Sequence, residues 1–290
     1  MADHQHLPMS RRHVIVAGGA GITAIGLSGT YIATANTGTG TGTGTATTPL
    51  TSSAEDVLPL TKETTEGPYY LDYDKHRVNI TEGHPGTPLD LRIQVLDAET
   101  GDPVPDASVD IWQCDALGIY SGYEETSEAM NEGELVFPGA IPKLAPDSTT
   151  TYLRGFQMTG RDGWVRFRTI VPGWYTGRTV HIHTKVHTRG VFLDQAYAEG
   201  QTVHTGQVFF PEELIEAVSG ISPYTGNDLP RTTNATDAFY TGDTAADGLL
   251  TVTWNRADPA RLARASIRMA VDLEAVNPGR AGNAPPPPVR

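Results

Sequence analysis

Apolar and polar residues alternate through Leu91-Arg92-Ile93-Gln94-Val95, and again through Val109-Asp110-Ile111-Trp112-Gln113 after a turn rich in Asp, Gly and Pro. A period of two is that of a strand with one face buried, so both stretches predict half-buried strands. Residues 153–158 and 164–171 flank Thr159-Gly160-Arg161-Asp162-Gly163, whose Asp-Gly step predicts a hairpin. Stretches 179–187, 203–210, 249–254 and 267–273 add further strands. One short helix is predicted over 211–218, with Pro211 at its start and Glu212 and Glu213 favouring the N-terminal end of the dipole. Many short strands with no helix alternating between them predict an all-β protein, a β-sandwich with long loops and one short helix. The stretch 124–150 is long, acidic and aperiodic, and reads as a lid, an oligomer contact or an ordinary surface insertion.

Both ends of the chain differ from this pattern. Arg11 and Arg12 stand before a Gly/Ala-rich, mildly apolar run from Val14 to Ile32, and Ala33-Thr34-Ala35 offers a small-residue cleavage site. The arrangement resembles a twin-arginine export signal over residues 1–35; an uncleaved membrane anchor is the other reading. Residues 37–48 are almost wholly Thr, Gly and Ala, a composition with nothing to bury, which predicts a linker over 36–51. Pro285 to Pro288 predict a disordered, extended tail over 277–290, leaving 52–276 as the folded domain. The export reading implies a secreted protein with no stable membrane association after signal cleavage.

Composition removes some classes of function. With 31 Gly and 21 Pro the chain suits turns and strands, and a formal net charge of −13 disfavours nucleic acid as a partner, whose binding relies on Lys and Arg neutralising phosphates. Cys114 is the only cysteine, so no intramolecular disulfide forms, and it reads as a small buried hydrophobe.

Candidate chemistry centres on Arg178-Thr179-Val180-His181-Ile182-His183, with Tyr175 upstream and Tyr120 farther back. On a strand His181 and His183 share a face and can present two imidazoles to one metal ion. Alone, such a pair is more often ordinary surface or core histidine than a ligand pair. Two suitably placed tyrosines would change that reading, because a phenolate is a hard anionic oxygen ligand that favours ferric iron.

Five phrases taken in order resemble the successive motifs of the intradiol ring-cleavage dioxygenases. They are Glu66-Gly67-Pro68-Tyr69-Tyr70, the run from Asp110 to Ser121, Leu153-Arg154-Gly155, Pro172-Gly173-Trp174-Tyr175 and the hexapeptide at Arg178. The likeness spans roughly 65–210 and is greatest to the extracellular actinobacterial branch of that family. The resemblance implies an intradiol-type β-sandwich carrying mononuclear non-haem Fe(III), with Tyr120, Tyr175, His181 and His183 as ligands. It also implies Tyr175 as the ligand released when substrate binds, Arg178 as the group stabilising anionic character on the ring, and Gln207 beside it. Its substrates are a small catechol-type aromatic diol and dioxygen, and its product a muconate-type diacid.

Two departures from the family pattern stand out. Tyr175 and Arg178 are three positions apart where the catechol and protocatechuate enzymes have a longer loop, and 188–205 is long before Gln207. Tyr69 reads equally as pocket lining or packed aromatic, and His187 and His204 as surface or supporting residues. A homodimer contact through a sandwich edge near 124–150 stays open. Two other functions compete: a sandwich binding module without catalysis, and a zinc or copper enzyme using the histidine pair.

Overall fold

The computed structural model of the protein describes residues 58–72, 75–135, 143–198 and 200–276. Every described residue belongs to one compact unit, Ala54–Arg290. The export signal, the linker and the proline-rich tail expected from the sequence lie outside the described residues.

Alternating burial builds two four-stranded sheets. The first has the order β4-β1-β10-β9, from Trp164–Ile170, Pro88–Asp97, Ala263–Val271 and Thr251–Thr253. The second has the order β3-β2-β5-β8, from Arg154–Met158, Ser108–Trp112, His181–Thr188 and Gln201–Phe209. Only β1 and β10 pair in parallel; the other ladders within the two sheets are antiparallel. Leu91, Ile93 and Phe167 of the first sheet and Ile111, Ile182 and Val208 of the second are buried in one shared core, the sandwich the alternation predicts. Helix α2, Glu212–Ser219, contributes Leu214, Ile215 and Val218 to that core.

The hairpin expected around Thr159–Gly163 is not one. β3 pairs with β2 and β4 with β1, so the chain crosses from one sheet to the other at this corner. Thr159 holds the crossing, its hydroxyl donating to the Val104 carbonyl at 2.7 Å and accepting from the Ala107 amide at 2.8 Å. Gly163, at φ +73°, lies so close to β1 that a Cβ there would meet the Val95 carbonyl at 2.5 Å. An Asp-Gly turn fixes a local reversal of direction and not the partner of the strand that leaves it.

Two further elements escape the hydrophobic pattern. Within the acidic stretch 124–150 lies a second helix, α1, Glu124–Asn131, so the expectation of one helix is corrected to two. The Asp147 carboxylate accepts from the Thr126 amide at 2.7 Å, capping the helix with a residue distant in sequence. β6 and β7, Val191–Leu193 and Ala196–Ala198, form a small separate hairpin.

Candidate metal centre

Odd-numbered residues of β5 turn away from the core toward an extended N-terminal strap. The strap is tied to the first sheet by the Thr61 amide to the Ala270 carbonyl at 2.9 Å, and to β8 by Thr64 to Thr205 at 3.0 Å. A buried ion pair between Glu66 and Lys185 fastens it to β5, and Arg154 donates to the Tyr69 carbonyl at 2.7 Å. Gly67 then lies against His183, where a Cβ would sit 3.1 Å from the ring. The Glu-Gly-Pro-Tyr-Tyr phrase is thereby laid over the histidine face.

Two loops bring in the tyrosines. Asp115 closes the first, its carboxylate accepting from the Leu117 amide at 2.8 Å and from Ile119 at 3.0 Å, which turns the chain into Tyr120. The second runs from Val171 to Tyr175 and meets the first backbone to backbone, the Gly173 amide donating to the Asp115 carbonyl at 2.9 Å. A Cβ on Gly173 would stand 2.2 Å from the Ala116 carbonyl, and one on Gly118, at φ +86°, 2.3 Å from that of Trp174. Only glycine allows this approach at either position.

The four side chains expected at the centre converge. Tyr175 Oη is 3.1 Å from His181 Nε2, which is 3.2 Å from His183 Nε2. The rings of Tyr120 and Tyr175 lie 5.7 Å apart and those of Tyr120 and His183 6.1 Å. His181 Nδ1 lies 2.6 Å from the Thr179 carbonyl, so that nitrogen carries the proton and Nε2 presents its lone pair inward. Trp112 stacks on His183 at 4.8 Å and Tyr69 on Tyr120 at 4.5 Å. With Tyr70, Tyr123, Met130 and Leu144 they form an aromatic shell around the centre.

The electrostatics suit an added cation. Burial, reinforced by the Arg178 charge, holds the His181 pKa well below the usual histidine range; burial and His181 do the same for His183. Burial raises Tyr120 well above an ordinary phenol and pushes Tyr175 up to about 12. The pocket therefore keeps both imidazoles neutral and both phenols protonated, and the Tyr120 hydroxyl, beside Tyr175, is buried without a well-formed hydrogen bond among the described residues. An orphaned phenol beside two imidazole lone pairs fits a multivalent cation, which would ionise the phenols and satisfy them. Among the described residues no group of three or more His, Cys, Asp or Glu side chains is placed to hold a metal.

Arg178 and Gln207 lie at the margin of this cluster. Gln207 faces His183 across the β5–β8 ladder, and Arg178 Nη2 donates to its Oε1 at 2.5 Å. Sequence reasoning missed Asp237, which fixes the arginine. Its carboxylate accepts from Arg178 Nε at 2.8 Å and from the amides of Thr179, Phe239 and Tyr240 at 2.9, 2.8 and 3.0 Å. Phe239 lies beneath the guanidinium at 4.3 Å, while Nη1 has no hydrogen-bond partner among the described residues. Burial works against both charges; the Arg178 charge outweighs it at Asp237 and lowers that pKa, and Tyr175 and then Asp237 outweigh it at Arg178 and raise that one. Its place, 59 residues after Arg178 in an irregular stretch, carries no period or motif that points to it.

The weaker histidines lie elsewhere. His187 is half-buried, within 3.2 Å of Asp110 and 3.1 Å of Thr202. His204 is buried opposite Val186 on the core side of β8, and burial pushes its pKa down to about 4. Cys114 is buried, as expected of a small hydrophobe.

A family model described as "Dioxygenase" matches residues 65–191. Chlorocatechol 1,2-dioxygenases of Cupriavidus pinatubonensis and Burkholderia cepacia are each 26% identical over 160 residues, 47% of this chain and 53% of theirs. The chain thus spans about half the length of the curated relatives it matches. Among solved structures, an intradiol ring-cleavage dioxygenase from Tetranychus urticae is 29% identical with a TM-score of 0.63, covering 76% of this chain and 98% of that one. Motif order and these likenesses agree: in sequence and in fold the chain is similar to the intradiol ring-cleavage dioxygenases.

Proposed function

We propose that the protein is an intradiol dioxygenase that cleaves a catechol-type diol between its hydroxyl-bearing carbons, with Tyr120, Tyr175, His181 and His183 holding one ferric ion. The observation that carries this reading is the convergence of two phenols and two neutral imidazoles inside an aromatic shell, with a cation fixed at the edge. A ferric ion held by these four residues would balance the phenolate charge and supply Lewis-acid activation of the diol.

The chain divides the remaining work unequally between its two phenols. Tyr120 is fully buried and stays in place, whereas Tyr175 is half-buried on a loop and is the one able to swing away. Once ionised by the bound cation, Tyr175 Oη would therefore be the acceptor for a proton from the entering diol. Arg178 Nη1, its other nitrogens committed to Asp237 and Gln207, is the donor left for negative charge developing on the ring. The aromatic shell of Tyr69, Tyr70, Trp112 and Tyr123 excludes water and offers faces to a flat substrate.

Iron-loaded protein should show the visible absorbance of phenolate bound to iron, change it on adding catechol, and convert catechol and dioxygen to a muconate. Protein that binds iron without colour, or turns over only with zinc or copper, overturns the assignment. The same reading places residues 1–35 as a twin-arginine export signal that delivers the folded, metal-loaded enzyme outside the cell. Replacing Arg11 and Arg12 by lysine should leave active enzyme inside producing cells; unchanged secretion refutes that part alone.

A further inference from the structure

The outer face of the β4-β1-β10-β9 sheet is chemically unlike the rest of a chain whose formal net charge is −13. Alternation sends Leu91, Ile93, Phe167 and Ile267 into the core and leaves Arg92, Arg166, Arg168, Arg264 and Arg268 exposed on the other side. The register sets them in rows. Asp90 lies between Arg168 and Arg264, Arg92 beside Arg166, and Gln94 between Trp164 and Arg268. Strands about 4.8 Å apart, with same-face residues about 6.8 Å apart along each, make this a flat lattice of cations. It lies on the opposite side of the sandwich from His181 and His183.

Asp90 shows what the lattice accepts. Arg166 grips it with two parallel hydrogen bonds, Nε to Oδ1 at 2.7 Å and Nη2 to Oδ2 at 2.5 Å. That grip, then the charges of Arg166, Arg264 and Arg168, hold the Asp90 carboxyl below the usual range. Arg92 stacks on Trp164 at 4.6 Å, and neither it nor Arg168, Arg264 or Arg268 has a carboxylate within ion-pair distance among the described residues. A shallow depression lies among Arg92, Trp164, Arg166 and Arg264, with Asp90 and Asp162 as its only carboxylates.

We propose that this face is a docking surface for an acidic polysaccharide, whose uronate carboxylates repeat along one backbone as Asp90 presents one. Single exposed ion pairs contribute little, so a lattice of this kind selects a ligand that engages several guanidiniums at once. Arginine without lysine favours planar, fork-matched anions. An anionic membrane would call for exposed apolar side chains among the cations, and besides the half-buried Trp164 this face has only Leu262 and Val78, at its margins. Single-stranded nucleic acid would call for open aromatic faces, and Arg92 already covers that of Trp164.

The test is affinity electrophoresis of the full chain in gels containing polygalacturonate at physiological salt. The wild type should be retarded, with fully methyl-esterified polymer having no effect. Arg92→Ser/Arg264→Ser/Arg268→Ser should weaken binding by about tenfold or more, and Arg268→Ser alone by about twofold, as partial loss of a multivalent contact requires. An unchanged thermal unfolding midpoint reports the fold independently of the chemistry proposed above, and unchanged catechol turnover separates this face from the metal centre. Absence of retardation in the wild type, or equal retardation of the triple variant, overturns the proposal. Tighter retention by duplex DNA or anionic vesicles than by polygalacturonate overturns it as well and assigns a different partner.

Discussion

Replacing His204 by leucine should flatten the acid limb of the protein's stability. His204 lies on the core side of β8, opposite Val186, 2% exposed, and its Nε2 has no hydrogen-bond partner among the described residues. Burial lowers its pKa to about 4 in the fold, against about 6.5 in an unfolded chain. Between those values the unfolded state binds the proton and the folded state does not, so stability falls as pH falls. The contribution is complete above about pH 6.5; it has lost about 2 kcal/mol by pH 5 and approaches a loss of about 3 kcal/mol below pH 4. Leucine is similar in size and leaves no orphaned nitrogen in the core. Urea unfolding of wild type and variant at a series of pH values should give curves that converge toward neutral pH as far as slope is concerned and separate below pH 6. Carboxylates titrate alike in both proteins, so the difference isolates the imidazole. Equal slopes through pH 5 would refute the assignment of His204 as a buried neutral group.

Lys185→Met, which leaves Glu66 buried and unpaired under the strap, should destabilise the fold by about 3–5 kcal/mol. Adding Glu66→Gln should restore much of that, and a double-mutant cycle by urea unfolding measures the coupling. Asp237→Ala should leave iron content and colour intact while lowering kcat by at least about tenfold, since the guanidinium loses the partner that orients it. Iron analysis beside steady-state kinetics distinguishes this from a damaged metal site, which would lose iron and activity together.

The parts legible in the sequence are those encoded in local patterns. Alternation in β1, β2, β4 and β5 gives strands and faces directly, and His181 and His183 inherit their shared face from it. Convergence of the tyrosines was legible only through motif resemblance, because it depends on two loops meeting at Gly118 and Gly173 over a distance no period encodes. The corner at Thr159–Gly163 shows the limit from the other side: its Asp-Gly turn is real, but partner choice was settled by Gly163 against β1 and Thr159 against the Val104–Ala107 segment. Helix α1 has only one buried residue, Ser127, so no apolar stripe announces it; Asp147 and the Glu124 contacts with Ser148 and Thr150 hold it instead. Asp237 was illegible because its role is to receive hydrogen bonds from groups that adjoin it only in space.

Between Tyr175 and Arg178 the chain makes a single turn, the Arg178 amide donating to the Tyr175 carbonyl at 3.3 Å with Gly177 at φ +81°. Only Thr176 and Gly177 separate the group proposed to take the proton from the group proposed to meet the charge, so this turn works as a ruler between them. A change of length there would move both groups at once, whereas α1 bears on the pocket through Met130 without touching that spacing. The catechol and protocatechuate pattern, with its longer loop at this place, therefore sets the two groups by a different measure than this chain does.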